Sequence, residues 1–383
     1  MPQVTQRPEV AVIYCPLWHS YDHASSWKGE GWCEWELVKS AIPRFKGHRL
    51  PLQPSWGCFD ESDPRWAARE VALAADHGVD VFIFDWYWYS GVKLMEEALE
   101  RGFLRAPNRR RLKFALMWAN HAWSDYFPAP FDQPWNSWLP MRHSPQDLER
   151  VIAYAQEHYF NQPNYWQVEG RLFFSLFQPE ELVKQLGGPA ATRRIFARID
   201  RRLRAGGLPP MHWNAMIWEP GAAAGLKDAG FHSTTTYNIN STGQPGAGLV
   251  QRYPDVMAEH ARKWRALAAT PLPHCPVVTM GWDVTMRCDP QLPWPFPPSK
   301  LTGGHGYPYG HIVTGNTPRR FGQLCRRAVE HVRQDPQHPF AVFVNAWNEW
   351  TEYSFLLPEK RYGLAYLQEL RRAFGRAPRA GGR

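Results

Sequence analysis

Eight short runs of apolar, β-branched or aromatic residues recur along the chain, and stretches with helical periodicity separate many of them. Strands that are buried on both faces form near-continuous apolar runs of this kind, which are typical of parallel sheets covered by helices. The pattern therefore predicts eight parallel strands, within residues 9–15, 79–88, 112–120, 171–177, 211–218, 231–238, 275–283 and 340–350.

Two of the intervening stretches carry helix start signals. One begins at Asp63-Pro64 and ends at Gly78, and the other begins at Ser144-Pro145; a polar cap followed by proline is a common helix start, and glycine a common end. Eight strand–helix units predict an α/β fold, a (β/α)8 TIM barrel, rather than a doubly wound open sheet. We expect residues 1–375 to form a single (β/α)8 catalytic domain and residues 376–383 a disordered tail.

Polar residues favour the barrel over the open sheet. Nearly every run ends, on its C-terminal side, in Asp, Asn, His or Glu next to an aromatic residue, and barrels carry their active sites at that face. Two long connections, residues 16–63 and 287–318, interrupt the units. Loops of this length are usually binding loops or disordered, and their many tryptophans argue against disorder. We therefore expect long aromatic-rich loops at the C-terminal face.

The composition narrows the class of partner. The chain has 20 Trp, 15 Tyr and 20 Phe in 383 residues, and its net charge of +8 is spread over short arginine pairs in helix-like segments. Such pairs indicate solvated helix faces rather than a nucleic-acid groove, so we expect no nucleic-acid partner. An anionic glycan remains compatible with the sign of the charge.

The six cysteines show no metal-type pairing, and a chain of this length needs no disulfide framework. The N-terminal residues lack a charged lead followed by a long apolar segment, and no run approaches the ~18 apolar residues of a membrane helix. We expect a soluble, cytoplasmic protein without a membrane span.

The segment "FVNAWNEWTEYSF", residues 343–355, sets Glu349 and Glu352 three positions apart among aromatic residues at the end of the last predicted strand. Cleavage of a glycosidic bond needs one carboxyl to protonate the departing oxygen and a second group to act at the sugar ring. Two close acids in a walled pocket also raise one another's pKa, which keeps one of them protonated near neutral pH. The alternative is that Glu352 caps the final helix or binds solvent while Glu349 pairs with an arginine.

Two further acids end predicted strands on the same rim. Asp85 and Asp283 could each act as a nucleophile, but we rank the binding of a sugar hydroxyl, or pairing with an arginine such as Arg287, ahead of catalysis. No histidine spacing matches a metal site, and the glycine-rich segment 303–310 neither follows a strand nor opens a helix. We therefore expect no metal and no cofactor.

The segment "NAWNEWTEYSFLLPEKRYGLAYLQEL", residues 345–370, closely resembles the C-terminal signature of the WbsX-type, glycoside hydrolase family 99-like proteins. Further blocks match the same family in the same order, namely "AVIYCPLWHS", "WKGEGWCEWELVKSAIPRFKGHRLPLQP", "FIFDWYWYSG", "WANHAW" and "GWDVTMR". Ordered blocks that extend almost end to end are more specific than one motif.

The resemblance implies a mechanism. In the family 99 endo-α-mannosidases, the matching pair works on a (β/α)8 barrel with retention of anomeric configuration. The first Glu acts as base on the sugar's own 2-hydroxyl, giving a 1,2-anhydro intermediate, and the second acts as general acid and then base. The resemblance thus implies that Glu349 is the base and Glu352 the acid, whereas their spacing alone allows the opposite assignment.

Two positions depart from the family pattern, because His121 stands where a Glu is usual and Asp85 where a His is common. The substrate is therefore not carried over. We expect a metal-independent, retaining glycoside hydrolase acting on an oligo- or polysaccharide, with a glycosyltransferase of polysaccharide biosynthesis and a non-catalytic carbohydrate-binding barrel as alternatives. Beside the catalytic pair, the residues expected to bind substrate are Trp18, His19, Trp32, Trp35, Asp85, Trp88, Trp118, Asn120, His121, Trp123, Asp283, Trp347 and Asn348.

Overall fold

Eight parallel strands form a closed barrel at the centre of the molecule. The structure is a computed structural model that describes residues 7–22, 28–124, 127–132, 134, 137–297, 300 and 306–375. The strands are β1 (Glu9–Tyr14), β2 (Val81–Tyr89), β3 (Lys113–Trp118), β4 (Arg171–Leu176), β5 (Met211–Met216), β6 (Ser233–Thr235), β7 (His274–Cys275 and Val277–Thr279) and β8 (Ala341–Asn345). All eight coincide with the predicted runs to within one residue, since β2 extends to Tyr89 and β7 begins at His274, and this confirms the (β/α)8 barrel.

Strand β7 is the one interrupted strand of the ring. Pro276 divides it, because proline has no N–H to donate to a neighbouring strand. Its first segment pairs with β6 (Thr234 opposite His274), and its second pairs with β8 (Val277 opposite Phe343). The remaining neighbours pair in chain order, and β1 pairs with both β2 and β8. The ring therefore closes between the first and last strands.

Helices surround the barrel. Helix α2 begins after Asp63, whose carboxylate accepts from the Arg65 N–H, and α3 begins after Ser144, whose hydroxyl accepts from the Asp147 N–H. Both predicted starts are confirmed. The described α-helices are α1 (Trp35–Ser40), α2 (Pro64–Asp76), α3 (Pro145–Ala155), α4 (Pro179–Gln185), α5 (Pro189–Ala205), α6 (Ala223–Ala229), α7 (Tyr253–Ala268), α8 (Pro318–Gln334) and α9 (Ala365–Phe374).

The long connection after β1 packs against the C-terminal end of the barrel. The Trp35 ring lies 4.5 Å from Trp18 and 5.9 Å from Trp350, and its indole N–H donates to the Phe59 carbonyl. This connection is therefore ordered around buried tryptophans where it is described. The expected tail, residues 376–383, lies outside the described residues. Within the described part of the chain, no helix combines the length and apolar character that crossing a bilayer requires.

Candidate active site

A cavity of about 530 Å³ opens at the C-terminal ends of the barrel strands. Residues that follow β1 to β8 line it, together with side chains from the long connections. The lining residues are Cys15, Leu17, Glu34, Asp85, Tyr87, Met117, Ala119, His121, Ala122, Trp123, Ser124, Phe127, Phe177, Gln178, Trp218, Tyr237, Asn238, Trp282, Arg287, Tyr307, Glu349 and Glu352. The cavity is thus at the face where barrels carry their active sites.

A tight turn after β8 brings Glu349 and Glu352 to this cavity. Glu349 lies in a two-residue strand that pairs with Ser354–Phe355, and Glu352 ends the 3-10 turn between them. The alternative role of Glu352 as a helix cap is wrong, because α9 begins only after Leu364 and has no side-chain cap. Glu349 and Glu352 are 4% and 6% exposed, so both acids are buried although they line the cavity.

One arginine holds these carboxyls together with a third. Arg287 Nη1 donates to Glu352 Oε1 at 2.7 Å, and its Nη2 lies 3.3 Å from Glu34 Oε2 and 3.7 Å from Glu349 Oε1. Tyr307 also donates to Glu352 Oε1 at 2.7 Å, and Thr351 donates to Glu34. Three buried carboxyls therefore face a single buried cation.

Burial raises the pKa of both Glu349 and Glu352. The repulsion from Glu352 raises the pKa of Glu349 further, and Glu34 acts in the same direction on Glu352, while Arg287 lowers both. A hydrogen bond between the two carboxyls lowers the pKa of Glu352. Glu352 Oε2 is buried, and when both groups are ionised it has no donor among the described residues. The pair is therefore arranged to share one proton.

A phenol bridges two carboxyls on the other side of the pair. The Tyr237 hydroxyl lies 2.8 Å from Asp85 Oδ2 and 3.0 Å from Glu349 Oε2. Burial raises the pKa of Asp85 well above its ordinary range, and the neighbouring Glu352 raises it too, while the bond from Tyr237 lowers it. Asp85 is therefore an acid whose neutral form is favoured.

Aromatic side chains at the C-terminal ends of β2, β3, β4 and β5 form one wall of the cavity. The Tyr87 and Trp123 rings lie 5.1 Å apart, His121 and Phe177 lie 5.6 Å apart, and Phe177 is 5.4 Å from Trp218. Burial lowers the pKa of His121, so the ring is neutral near neutral pH. A wall of neutral rings beside carboxyls suits a sugar ring, which has apolar faces and hydroxyl edges.

The structure brings five of the fifteen predicted site residues together in the cavity lining, namely Asp85, His121, Trp123, Glu349 and Glu352. The other ten lie behind or beside that lining. They are Trp18, His19, Trp32, Trp35, Trp88, Trp118, Asn120, Asp283, Trp347 and Asn348.

Several of these ten belong to a buried network beneath the turn at residues 348–355. Glu61 accepts from the Trp18 N–H, from Asn348 Nδ2 at 3.2 Å and from His19 Nδ1 at 3.0 Å. Bonds to Glu61 and to a second glutamate outweigh burial and raise the pKa of His19 to about 9. This cationic imidazole and its partners hold the base of the turn rather than the cavity surface.

Asp283 lies close to His48, not to Arg287. Its Oδ2 is 2.5 Å from His48 Nε2, and its Oδ1 accepts from the Thr285 hydroxyl at 2.6 Å. Asn120 accepts from the Gln178 N–H and donates to its carbonyl. Both side chains therefore fix loops at the rim of the barrel.

Some lining residues were not predicted. Trp218, Tyr237 and Trp282 follow strand ends just as the predicted residues do, so their position was an available signal. Glu34 and Tyr307 come from the two long connections, where nothing in the local pattern indicates which side chain reaches the cavity. The described residues contain no group of three or more His, Cys, Asp or Glu side chains that could hold a metal ion.

Comparison with known sequences identifies relatives of this chain. The sequence model of the family described as "Glycosyltransferase WbsX" matches residues 10–291 and 305–370. The "Uncharacterized protein WxcX" of Xanthomonas campestris pv. campestris, in strains ATCC 33913 and B100, is 28% identical over 381 residues, or 96% of this chain. The chain spans about half the length of the curated relatives it matches.

Solved structures share the fold. A structure described as "Glycoside hydrolase-like protein" aligns with a TM-score of 0.61 at 13% identity, covering 98% of this chain and 97% of that one. The GH99 endo-alpha-mannosidase from Bacteroides thetaiotaomicron aligns with a TM-score of 0.57 at 13% identity, covering 95% and 96%. The chain thus has the fold of glycoside hydrolase-like barrels.

Proposed function

We propose that this chain, which belongs to the family described as glycosyltransferase WbsX, is a retaining glycoside hydrolase acting on an oligo- or polysaccharide. The observation that carries the proposal is the carboxyl pair itself. Glu349 and Glu352 are buried, lie within 4 Å of the same Arg287 guanidinium and face one aromatic-walled cavity. Such a pair supplies an acid and a base at one acetal.

Glu349 is the proposed base. It takes the proton of the sugar 2-hydroxyl, whose oxygen then bonds to C1 as the bond from C1 to the departing oxygen breaks. Glu352 gives its proton to the departing oxygen, which leaves as an alcohol. Water then opens the 1,2-anhydro ring at C1, giving its proton to Glu352, and the 2-oxygen takes back the proton from Glu349.

The position of the shared proton fits these roles once a sugar is bound. Arg287 lies 2.7 Å from a Glu352 oxygen and 3.7 Å from a Glu349 oxygen, so it stabilises a negative charge on either carboxyl. A sugar hydroxyl that donates to Glu349 adds to the stabilisation of the charge on Glu349. The proton then belongs on Glu352 Oε2, where no donor among the described residues competes with it.

The test is product analysis by mass spectrometry on a panel of glycans, in which α-mannosides come first because a neighbour of the same fold is an endo-alpha-mannosidase. We expect hydrolysis by the wild type, and a loss of about 10³-fold or more in Glu349→Gln and in Glu352→Gln. The control is Glu180→Gln, which changes an exposed glutamate at the start of α4. Wild-type hydrolysis by either cavity variant contradicts the proposal.

The same panel distinguishes the two alternatives. A glycosyltransferase extends an acceptor only when an activated donor is added, and a carbohydrate-binding barrel retains a glycan without changing it. We favour hydrolysis because both carboxyls of the pair are present and placed in the cavity lining.

A further inference from the structure

The Tyr237 hydroxyl has two carboxyl partners and one hydrogen. It lies within hydrogen-bond distance of Asp85 Oδ2 and Glu349 Oε2. A phenol donates one hydrogen bond and accepts others, so it cannot donate to both carboxylates at once. There are therefore two alternatives. Either one of the two carboxyls carries a proton and donates a hydrogen bond to the phenolic oxygen, or one of the two contacts places two hydrogen-bond acceptors against each other.

The surroundings of the two carboxyls are unequal. Glu349 has a further donor in Asn345 Nδ2 at 3.4 Å and the Arg287 guanidinium at 3.7 Å. Asp85 Oδ1 is buried and has no hydrogen-bond partner among the described residues. Asp85 is 4% exposed, so solvent screens a charge on this carboxyl only weakly. A negative charge is thus better stabilised on Glu349 than on Asp85.

The charged groups that face Asp85 act in the same direction. Glu352 and Glu349 interact with it as like charges, and the other titratable neighbours are the neutral side chains of Cys15, Tyr87 and Tyr237. The guanidinium of Arg287 is already engaged by Glu34 and Glu352. A second negative charge beside Glu349 would therefore be repelled without compensation.

We propose that Asp85 is a neutral carboxylic acid that donates a hydrogen bond to the phenolic oxygen of Tyr237. The Tyr237 hydroxyl in turn donates its hydrogen bond to Glu349. The hydrogen bonds then run in one direction, from Asp85 through Tyr237 to the Glu349 carboxylate. Asp85 is in this case a positioning residue that keeps Glu349 ionised and oriented, and not a nucleophile.

The proposal makes asparagine a mimic of Asp85. An amide Nδ2–H can donate to Tyr237 in place of the acid, and the amide oxygen can take the place of Oδ1. Because its catalytic consequence rests on the proposed function, the kinetic test uses the substrate found in the glycan panel. We expect kcat/KM to fall by less than about 10-fold in Asp85→Asn, and by about 100-fold in Asp85→Ala and in Tyr237→Phe. The main loss in the last two is expected in kcat.

An ionised Asp85 predicts the opposite ranking. If Asp85 acts as a nucleophile or a charged base, the kcat/KM of Asp85→Asn is lower than that of the wild type by about 10³-fold or more, as in Glu349→Gln. That result overturns the proposal. Equal, small losses in Asp85→Asn and Asp85→Ala overturn it as well, because the Tyr237 donor then does not depend on Asp85.

A second measurement needs no substrate and so separates this inference from the proposed function. Infrared difference spectra of the wild type minus Asp85→Asn at neutral pH are expected to contain the carbonyl stretch of a protonated carboxyl group. A carboxylate band in its place shows that Asp85 is ionised and overturns the proposal. This reading is the same whether or not the protein hydrolyses any glycan.

Discussion

At the scale of single residues, the site depends on Arg287 as the cation between Glu34, Glu349 and Glu352. Arg287 is 5% exposed, and its guanidinium also stacks on Phe127, with 4.6 Å between Cζ and the ring centroid. Removing the only cation of such a cluster leaves buried carboxyls uncompensated. The contacts of this side chain therefore bear on stability as well as on the pKa of the pair.

We expect Arg287→Met, which keeps the length of the side chain, to lower the free energy of unfolding by about 3–5 kcal/mol at neutral pH. The loss should shrink at acid pH, where the carboxyls are protonated and no longer repel. Urea denaturation measures both. Arg198→Met is the control, because this arginine pairs with Glu149 on an exposed helix face, where such pairs contribute at most about 1 kcal/mol. Equal stability of the two variants would contradict the role given to Arg287.

Tyr307 tunes the proposed acid. Its hydroxyl donates to Glu352 Oε1, and this bond lowers the pKa of Glu352. Removing the hydroxyl should therefore raise that pKa, so that the acid stays protonated to higher pH. In Tyr307→Phe, the alkaline limb of the kcat/KM profile should move to higher pH. Tyr309 lies in the same connection, and its hydroxyl donates to the Ala129 carbonyl. Tyr309→Phe should therefore leave the alkaline limb where it is in the wild type. A shift toward lower pH in Tyr307→Phe would refute this assignment.

At the scale of elements, helix α2 supports the turn at residues 348–355 from below. Glu70 on this helix accepts from the Trp347 indole at 2.9 Å and from the Tyr14 hydroxyl at 2.9 Å, which ties α2 to β1 and to the end of β8. Burial raises the pKa of Glu70 from about 4.5 to about 8, and the charge of Glu61 adds to the shift. The folded protein thus keeps a proton at this site that the unfolded chain releases.

The sign of the resulting pH dependence follows from linkage. Between about pH 4.5 and pH 8, the native state binds one more proton at Glu70 than the unfolded state, so stability falls as pH rises. The stability that the proton at Glu70 contributes is fully present below about pH 4.5 and is lost by about pH 8. In Glu70→Gln, which does not titrate, we expect the slope of unfolding free energy against pH to become less negative by up to about 1.4 kcal/mol per pH unit. Denaturation at a series of pH values measures the slope, and a slope equal to that of the wild type and of Glu180→Gln argues against a protonated Glu70.

Elements were more predictable than contacts. Burial on both faces requires continuous apolar runs, so each barrel strand was visible in the sequence, and the starts of α2 and α3 were visible from Asp63-Pro64 and Ser144-Pro145. The break in β7 at Pro276 lies inside a predicted run. Glu34 and Tyr307 could not be predicted, because their places depend on how long connections fold back over the barrel, which has no periodic signature.

The tryptophans illustrate the same limit. Many of those predicted to line the cleft, such as Trp18, Trp118 and Trp347, are almost fully buried and lie outside the cavity lining. An aromatic residue at the end of a strand can point into the cavity or into the layer between barrel and helices, and alternation of side chains along a strand gives the two outcomes at adjacent positions. An error of one residue in the predicted position along a strand therefore assigns a core residue to the cavity wall.

At the scale of the whole molecule, the charge of the surface and the charge of the cavity have opposite signs. The chain carries +8 overall, with arginine pairs such as Arg201-Arg202 exposed on α5. The described cavity lining holds four carboxyl side chains, Asp85, Glu34, Glu349 and Glu352, and one arginine that these glutamates already engage. The sign of the net charge is thus no guide to the sign of the ligand at this site.

This contrast predicts which small molecules the cavity accepts. A protonated imino sugar of mannose configuration places a cation beside the carboxyl pair, whereas uridine diphosphate and pyrophosphate place anions there. We expect the imino sugar to raise Tm at neutral pH, by an amount that corresponds to about 1.4 kcal/mol at ten times its Kd, and to lose affinity at acid pH as the carboxyls are protonated. The two phosphates should leave Tm unchanged relative to sodium chloride of the same ionic strength. Because an activated nucleotide-sugar donor must bring its diphosphate to the acceptor, a rise in Tm with uridine diphosphate that competes with the imino sugar would favour glycosyl transfer over hydrolysis.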